Sequence, residues 1–340
     1  MSATFQDQLL TAWHELGSGR RGTTEWRALR VAINHPLEVF AALREVESAR
    51  AIVFECDLHD APQARLRFAS EGLFLTDERD PEARRARFAI ALERPDLERI
   101  LLAISEDLVR ISTNAVDAST AVLEIGKRLV AWQACLAARR EGFGREKVIG
   151  LFGELAILER LAARRDLPRA LAAWTGPDRR LHDFESEGRG LEVKTSAGQG
   201  QLVQIGSLEQ LDDSGLRSLA LLHVTLVPDH QGRSIHEIAA SLRSVAERFG
   251  HSCRLEVDRK LLMYGYLDQR TTEEWEPERF SAGPTAGYRV GQGFPRLTRA
   301  DVPGAIVQAR YSLNLAGCEG CALAAADLDR TLDDFLPAEP

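Results

Sequence analysis

The chain has 340 residues, of which 44% are hydrophobic and 28% charged, so it can form a substantial core, and its length favours two domains. It contains no apolar run of about 18 residues and no signal-peptide pattern, and its five cysteines are an odd, scattered number. These features predict a cytoplasmic protein with reduced thiols and no membrane partner, and the formal charge of −8 counts against a protein that coats nucleic acid.

The first part of the chain alternates short apolar segments with turn signals. An amphipathic helix is predicted over residues 4–17. Strand-like segments follow, near residues 27–33, 37–43, 50–56, 64–69, 72–76 and 86–92. We therefore predict a strand-rich N-terminal domain over residues 1–115, which ends in a helix over 95–112. A further helix over 117–138 predicts a helical connector at residues 116–139.

The remaining residues, 140–340, begin with a helix predicted over residues 146–163, because Leu, Val and Phe recur there on one face. A second helix is predicted near 167–174. Short strands are predicted at residues 181–185, 191–195 and 201–205.

Three further features complete this half of the chain. Ser207 is a candidate N-cap for another helix. Residues 218–227 are so apolar that they predict a central strand buried on both faces. The segment 276–295 is rich in Pro and Gly and is predicted to be a loop. The order of elements predicts an α/β fold (α+β overall), with a mixed sheet flanked by helices after the strand-rich domain.

The segment 191–195 carries the clearest chemistry. Lysine is rare, with four among 43 basic side chains, yet Lys194 lies two positions after Glu192, so both side chains leave a strand on the same face. Asp183 can reach that face from the preceding strand. Two carboxylates that hold a divalent ion, and a compact ammonium beside them, are what metal-assisted phosphodiester hydrolysis requires. The alternative for the Glu-x-Lys triplet alone is an ion pair on an exposed strand.

The order of motifs resembles the PD-(D/E)XK nuclease superfamily. It is more closely similar to the bacterial PD-(D/E)XK motif proteins, a family often associated with phage-defence operons. The resemblance rests on Gly-Glu-Leu at 153–155, Trp-x-Gly-Pro at 174–177, His-Asp-Phe-Glu at 182–185, Leu-Glu-Val-Lys-Thr at 191–195 and Ile-Gly-Ser-Leu-Glu-Gln-Leu at 205–211. His182 stands where the superfamily name has a proline, a departure that changes no ligand.

The resemblance implies a restriction-endonuclease-like fold and four catalytic residues, Glu154, Asp183, Glu192 and Lys194. It implies that Asp183, Glu192 and the carbonyl of Val193 hold Mg²⁺, for which Mn²⁺ can substitute, and that Glu154 holds a metal-bound water or a second ion. The expected activity is endonucleolytic cleavage of DNA. A catalytically silent DNA-binding or scaffold subunit of a defence complex is the alternative, and RNA stays open as a substrate because the phosphate chemistry is shared.

The distribution of charge bears on the partners. Residues 139–194 carry 12 basic and 10 acidic side chains, a net charge of +2, whereas the whole chain has a net charge of −8. We therefore expect weak DNA binding by the chain alone, and delivery of DNA by a protein partner from a defence operon. A helicase or ATPase and a methyltransferase are the expected partners, and a homodimer is a further expectation.

Other side chains near the motifs are weaker candidates. His182, Thr195 and Gln204 are candidates for orienting ligands or contacting phosphate. The arginine pairs at 139–140, 164–165 and 179–180 are candidates for phosphate contact, with solvated helix ends as the alternative.

Cys318 and Cys321 have the spacing of half a zinc site, for which His251 and Cys253 are a candidate second half. Two free thiols in a tight turn are the favoured interpretation, because a second Cys-x-x-Cys is absent. The chain has neither a phosphate-binding P-loop nor a serine nucleophile elbow, so nucleotide hydrolysis and acyl transfer are not supported.

Overall fold

A computed structural model of the chain describes residues 4–18, 25–32, 34–44, 48–198, 200–267 and 278–337. These residues form two compact units, which meet in sequence between Arg140 and Glu141. The boundaries expected from the sequence stay a prediction, with domains at 1–115 and 140–340 and a connector at 116–139.

The first unit is built on a six-stranded antiparallel sheet with strand order β1-β2-β3-β6-β5-β4. Its strands are β1 (Trp26–Ala32), β2 (Glu38–Arg44), β3 (Ala49–Asp57), β4 (Ala69–Ser70), β5 (Leu73–Asp80) and β6 (Arg85–Leu92). Three helices accompany the sheet, α1 (Phe5–Ser18), α2 (Glu98–Thr113) and α3 (Ala118–Arg140). Helices α2 and α3 pack on each other, and both belong to this unit.

One predicted strand of the first unit is wrong. In the segment 64–69 only Ala69 belongs to a strand. The backbone N–H of Leu66 donates to the carboxylate of Asp77 at 2.9 Å. Because the Asp77 side chain satisfies the N–H of Leu66, this N–H does not need a partner on a neighbouring strand.

The second unit combines five helices with six strands. Its helices are α4 (Arg145–Arg164), α5 (Leu167–Ala173), α6 (Ile235–Glu247), α7 (His251–Tyr264) and α8 (Ala325–Asp333). Its strands are β7 (Phe184–Ser186), β8 (Arg189–Ala197), β9 (Leu202–Ile205), β10 (Ser218–Ser234), β11 (Arg279–Val290) and β12 (Tyr311–Asn314).

Strands β7, β8, β10 and β11 form a mixed sheet with the order β11-β10-β8-β7. The neighbours β8 and β10 are parallel, whereas β7 and β11 pair antiparallel at the two edges. Residues 219–224 of β10 are all buried, which confirms the predicted central strand. Strands β9 and β12 form a separate antiparallel pair.

Two further predictions in this unit are wrong. The segment 276–295 is not a loop where the structure describes it, because it contains β11. The shift in pairing between Val224 with Thr285 and Leu226 with Ala282 leaves Gly283 and Pro284 in a bulge of an edge strand, where a proline needs no ladder partner.

Ser207 does not cap a helix, since residues 206–217 form turns and bends. The side-chain oxygen of Gln210 accepts the N–H of Gly206 at 2.7 Å and closes the first of these turns.

Helix α4 lies directly on β8. A Cβ at Gly153 would lie 1.8 Å from Oγ1 of Thr195, so only glycine allows this approach of helix to strand. The apolar side chains of α4, including Leu151, Leu155 and Leu158, are buried in the core of the unit. The predicted fold class is confirmed, a mixed sheet with helices that follows a strand-rich region. Within the described residues, no helix is both long and apolar enough to cross a membrane.

Candidate active site

Strand β8 brings Glu192 and Lys194 together on one face. The Glu192 side chain is 1% exposed and that of Lys194 is 16% exposed. The ammonium nitrogen of Lys194 lies 2.7 Å from Oε1 of Glu192. The pair is therefore buried, unlike the ion pair on an exposed strand that the triplet alone also allowed.

Asp183 lies at the open edge of the same strand. Strand β7 pairs with β8 only as far as Phe184 opposite Leu191, so β8 continues beyond its partner. At this point Oδ2 of Asp183 accepts the backbone N–H of Val193 at 2.7 Å. The carboxylate of Asp183 thus accepts the hydrogen bond that a neighbouring strand would otherwise accept from Val193, between Glu192 and Lys194.

The turn that follows α5 fixes the backbone of Asp183. The N–H groups of Thr175 and Gly176 both donate to the carbonyl of Asp183, at 2.8 and 2.9 Å. A Cβ at Gly176 would lie 2.9 Å from Oε2 of Glu154 and 3.3 Å from Oδ1 of Asp183. Glycine is needed here because two carboxylates approach the chain closely.

Glu154 reaches this region from α4 and is 6% exposed. Its Oε2 accepts the indole N–H of Trp174 at 2.8 Å, and its Oε1 accepts the hydroxyl of Tyr264 at 2.9 Å. Both oxygens therefore have donors. No choice of one oxygen each from Glu154, Asp183 and Glu192 places all three oxygens within 4.8 Å of one another.

Helix α7 ties the turn in place from the other side. The Lys260 ammonium donates to the carbonyl of Trp174 and lies 2.8 Å from Oδ2 of Asp178. Arg259 contacts the other oxygen of Asp178 at 3.0 Å. Burial acts to raise the pKa of Asp178, but the hydrogen bonds from the two cations outweigh it and lower the pKa. The turn is held by a well-matched ionic cluster.

The catalytic candidates are not matched in this way. Burial, followed by repulsion from Asp183, raises the pKa of Glu192 to about 8 and the pKa of Glu154 well above its usual range. Burial also raises the pKa of Asp183, although this residue is partly exposed to solvent. Burial acts to lower the pKa of Lys194, but Glu192 and Asp183 outweigh it and raise the pKa. The ammonium therefore stays charged, whereas repulsion and burial favour the protonated forms of the carboxylates.

Glu192 is poorly satisfied for a buried carboxylate. Among the described residues its one polar contact is that of Oε1 with the Lys194 ammonium at 2.7 Å, and Oε2 has no donor. A buried carboxylate with a single contact is costly, and a metal ion would satisfy its remaining oxygen. The oxygens of Glu192 and Asp183 are the hard ligands that Mg²⁺ prefers, so these residues fit a divalent ion.

The carbonyl of Val193 points to the same edge. In an extended strand the N–H and C=O of one residue point to the same side, and the N–H of Val193 points to Asp183. The third predicted ligand therefore lies beside the other two.

Residues 9–316 match a family whose description reads "Putative PD-(D/E)XK family member" (DUF4420). The chain belongs to this family. The match spans nearly the whole chain and confirms the resemblance seen in the sequence. Neither a curated protein nor a solved structure gives a significant match. Membership in a PD-(D/E)XK family indicates nuclease activity, and nucleases of this kind generally use divalent metals.

Two residues outside the PD-(D/E)XK motif also face Lys194. Oε1 of Gln210 lies 3.5 Å from the Lys194 ammonium. His223 is paired with Lys194 across β8 and β10, and its Nε2 lies 2.9 Å from Oγ of Ser196. Burial lowers the pKa of His223, so its ring is neutral at pH 7.

The weaker candidates of the PD-(D/E)XK segment contact residues outside the catalytic group. Thr195 points to the opposite face, towards Gly153. Gln204 donates to Oγ of Ser312 at 2.8 Å and joins β9 to β12. His182 is buried, with Nδ1 3.3 Å from Glu185 and Nε2 without a partner. Among the arginine pairs, Arg164 contacts Asp329 at 2.7 Å and Arg180 contacts Glu185 at 3.4 Å.

The four residues of the candidate zinc site do not form a cluster. Cys318, Cys321 and Cys253 are free thiols. In the part of the chain that the structure describes, one group of three His, Cys, Asp or Glu side chains has ligand atoms within 4.8 Å, and it consists of Asp57, His59 and Asp60 in the first unit. Asp57 and His59 are exposed, and acidic groups of this kind are common without an ion.

Four residues that hold the PD-(D/E)XK side chains in place had no predicted role. Trp174 and Gly176 belong to a motif of the resemblance, whereas Tyr264 and Lys260 belong to none. One signal was available, because Lys260 is one of only four lysines. Tyr264 lies 110 residues after Glu154, so no local pattern connects them.

Proposed function

We propose that the chain is a Mg²⁺-dependent endodeoxyribonuclease, in which Mn²⁺ can replace Mg²⁺. One observation carries the proposal. Glu192 is buried, has Lys194 as its one polar contact and lies with Lys194 and Asp183 at an open strand edge. One ammonium does not balance the clustered carboxylates, so a metal ion would stabilise them, and such clusters are typical of functional sites.

Asp183, Glu192 and the carbonyl of Val193 would hold the metal. When bound, the ion supplies Lewis acidity and makes water a better nucleophile. Asp183 is well suited to this task, because its second oxygen is fixed by Val193 while its backbone is fixed by Thr175 and Gly176. Preorganisation of this kind keeps the cost of ligand ordering small.

Lys194 would act as a charge and a hydrogen-bond donor. Its pKa is raised, so at neutral pH it keeps its proton and cannot serve as a general base. An ammonium next to the scissile phosphate would orient the attacking water and offset the negative charge that develops in the transition state.

Glu154 would position its neighbours. Its two oxygens accept hydrogen bonds from Trp174 and Tyr264, which lie on the turn and on α7. Glu154 thus links the helix under β8 to the elements that hold Asp183. Each oxygen accepts one of these hydrogen bonds and has a second lone pair, which would contact a metal-bound water or a second ion.

DNA is the proposed substrate, and restriction or anti-phage defence is the proposed setting. The net charge of −8, with +2 over residues 139–194, argues for weak affinity of the chain alone. We therefore propose delivery by a protein partner, a helicase or ATPase or a methyltransferase, and a homodimer is a further proposal. Little binding of duplex DNA at physiological salt is the expected result, and tight binding with a steep salt dependence would contradict it.

The test is cleavage of supercoiled and linear DNA by the wild type and by Lys194→Ala, with Mg²⁺, Mn²⁺ or EDTA. We expect nicking or linearisation with either ion, none in EDTA, and none with Lys194→Ala. Lys127→Ala is the matched control, because Lys127 is exposed and pairs with Glu124 on α3. Cleavage by Lys194→Ala at the wild-type rate would contradict the mechanism. DNA binding without cleavage under any condition would favour the silent subunit.

A further inference from the structure

A cavity of about 370 Å³ lies at one end of the mixed sheet, away from the catalytic candidates. Its floor is apolar, because the half-buried Leu216 and Leu323 line it together with the almost fully buried Leu191, Leu219, Val290 and Phe335. A volume of this size is within the range of ligand pockets, about 300–1,000 Å³. The small residues Gly190, Ser218 and Ala220 line the cavity and leave this space open.

Three arginines line the same cavity, Arg189, Arg217 and Arg289. Arg189 lies 3.5 Å from Glu187. Within the described ranges, no carboxylate lies within ion-pair distance of Arg217 or Arg289.

Two acids, Asp213 and Asp334, also line the cavity, and Asp213 pairs with Arg296 at 2.7 Å. Because neither of them pairs with Arg217 or Arg289, an anion can bind these two guanidinium groups. Their planar forks match the oxygens of a phosphate group.

The cavity lies at the end of the sheet where β8 begins, because Arg189 and Gly190 line it. Its lining belongs to both faces of the sheet, since Leu191 lies on one face and Leu219 lies on the face of Lys194. Leu191 is the lining residue of β8 nearest to Lys194, and three residues of extended strand separate them by about 10 Å. A ligand here would not occupy the space beside Lys194.

We propose that this cavity binds a nucleoside phosphate. The arginines would bind the phosphate, and the apolar floor would contact the base. Asp334 also lines the cavity and has no side-chain partner among the described residues, so it can accept a hydrogen bond from a ribose hydroxyl or a base amino group. A phosphate alone would use only the arginines. The inference goes beyond the proposed nuclease activity and does not depend on it.

Calorimetric titration of the full chain in EDTA tests the proposal, with the four ribonucleoside monophosphates and ATP as ligands. We expect at least one of them to bind with one site per chain. Adenosine and inorganic phosphate, titrated separately, should each bind about tenfold more weakly or worse, because each makes only part of the contacts. Absence of binding by all five nucleotides at about millimolar concentration would overturn the proposal. So would equal binding of phosphate alone.

Arg217→Ala and Arg289→Ala should each weaken nucleotide binding by about tenfold or more. Both side chains are exposed, so the variants should fold, which thermal unfolding would verify. Arg310→Ala is the matched control, since Arg310 is an exposed arginine outside the cavity. Lys194→Ala should bind as the wild type does, which separates this site from the nuclease centre. Unchanged binding in both cavity variants would overturn the assignment.

Competition by oligonucleotides identifies the source of the ligand. If a 5′-phosphorylated oligonucleotide displaces the nucleotide and its 5′-hydroxyl counterpart does not, the cavity takes the end of a DNA strand. If neither displaces it, the cavity takes a free nucleotide. Displacement by both to the same extent would show that internal phosphodiester groups compete for the cavity, and would contradict a site for a terminal nucleoside phosphate.

Discussion

Two carboxylates with little exposure to solvent, one in each unit, have opposite surroundings. Asp107 on α2 accepts hydrogen bonds from Nε and Nη2 of Arg128, at 2.6 and 3.0 Å, and from the indole N–H of Trp132 at 2.8 Å. Burial acts to raise the pKa of Asp107, but Arg128 outweighs it and lowers the pKa. Glu192 on β8 is buried with one polar contact, to Lys194 at 2.7 Å, and its pKa is raised to about 8.

This difference indicates that Asp107 stabilises the fold, whereas Glu192 is suited to bind a ligand. Arginine is abundant in this chain, yet the cation beside Glu192 is the scarce Lys194. A bidentate arginine would satisfy Glu192 as Arg128 satisfies Asp107, and would leave no oxygen for a metal. The comparison predicts that removal of charge costs activity at one site and stability at the other.

The largest expected effect is on cleavage by Asp183→Asn. The amide oxygen of asparagine can still accept the N–H of Val193, so the local structure should be kept while the charge is lost. We expect cleavage to fall by at least about a hundredfold, with a melting temperature no lower than that of the wild type in EDTA. A rate within a few-fold of wild type would remove Asp183 from the proposed metal site.

The second prediction concerns Asp107→Ala, which leaves Arg128 buried without its partner. We expect a loss of about 3 kcal/mol in the free energy of unfolding, measured by chemical denaturation. Asp96→Ala is the control, because Asp96 forms an exposed pair with Arg94, and its effect should stay within about 0.5 kcal/mol. Equal effects of the two variants would show that Asp107 is not the structural counterpart of Glu192.

The third prediction concerns pH and metal together. The pKa of Glu192 is about 8 in the folded chain against an ordinary value of 4.5, so the folded state holds an extra proton between these values. The contribution of the protonated Glu192 to the free energy of unfolding is present at low pH and is lost as the pH rises from 4.5 to about 8. Mg²⁺ competes with that proton, so the metal-induced rise in melting temperature should be larger at about pH 9 than at about pH 6. A Mg²⁺-induced rise in melting temperature that is larger at about pH 6 than at about pH 9 would contradict binding of the metal by ionised Glu192.

The smallest expected effect is that of Tyr264→Phe, which removes one donor from Glu154. We expect a loss of about 1 kcal/mol in stability and a decrease in cleavage of about tenfold, because Glu154 still has Trp174. Tyr266→Phe is the matched control, since the hydroxyl of Tyr266 contacts His236 and not Glu154. Cleavage that falls equally in both variants would point to general loosening of α7.

The order of elements and the Glu-x-Lys strand could be predicted from the sequence, because both depend on short-range patterns. Helix α4 and strand β10 follow directly from their apolar periodicity. Strand β11 was missed because Gly283 and Pro284 indicate a turn, and only pairing with β10 shows that they form a bulge.

The supporting residues of the site could not be predicted, because they depend on contacts between distant segments. Lys260 and Tyr264 on α7 reach Asp178 and Glu154 across 82 and 110 residues. The lack of a second donor for Glu192 among the described residues is likewise a property of the packed structure, since a sequence shows which donors exist but not which of them are near.

The most direct test measures cleavage and stability of Glu192→Gln in the same preparation. Cleavage of supercoiled DNA with Mg²⁺ should fall by at least about a hundredfold, while the melting temperature in EDTA at about pH 8 stays at or above the wild-type value. This combination would show that the charge of Glu192 serves the reaction and opposes the fold. Wild-type cleavage by Glu192→Gln, or a loss of stability like that expected for Asp107→Ala, would contradict the assignment of Glu192 to a metal-dependent nuclease centre.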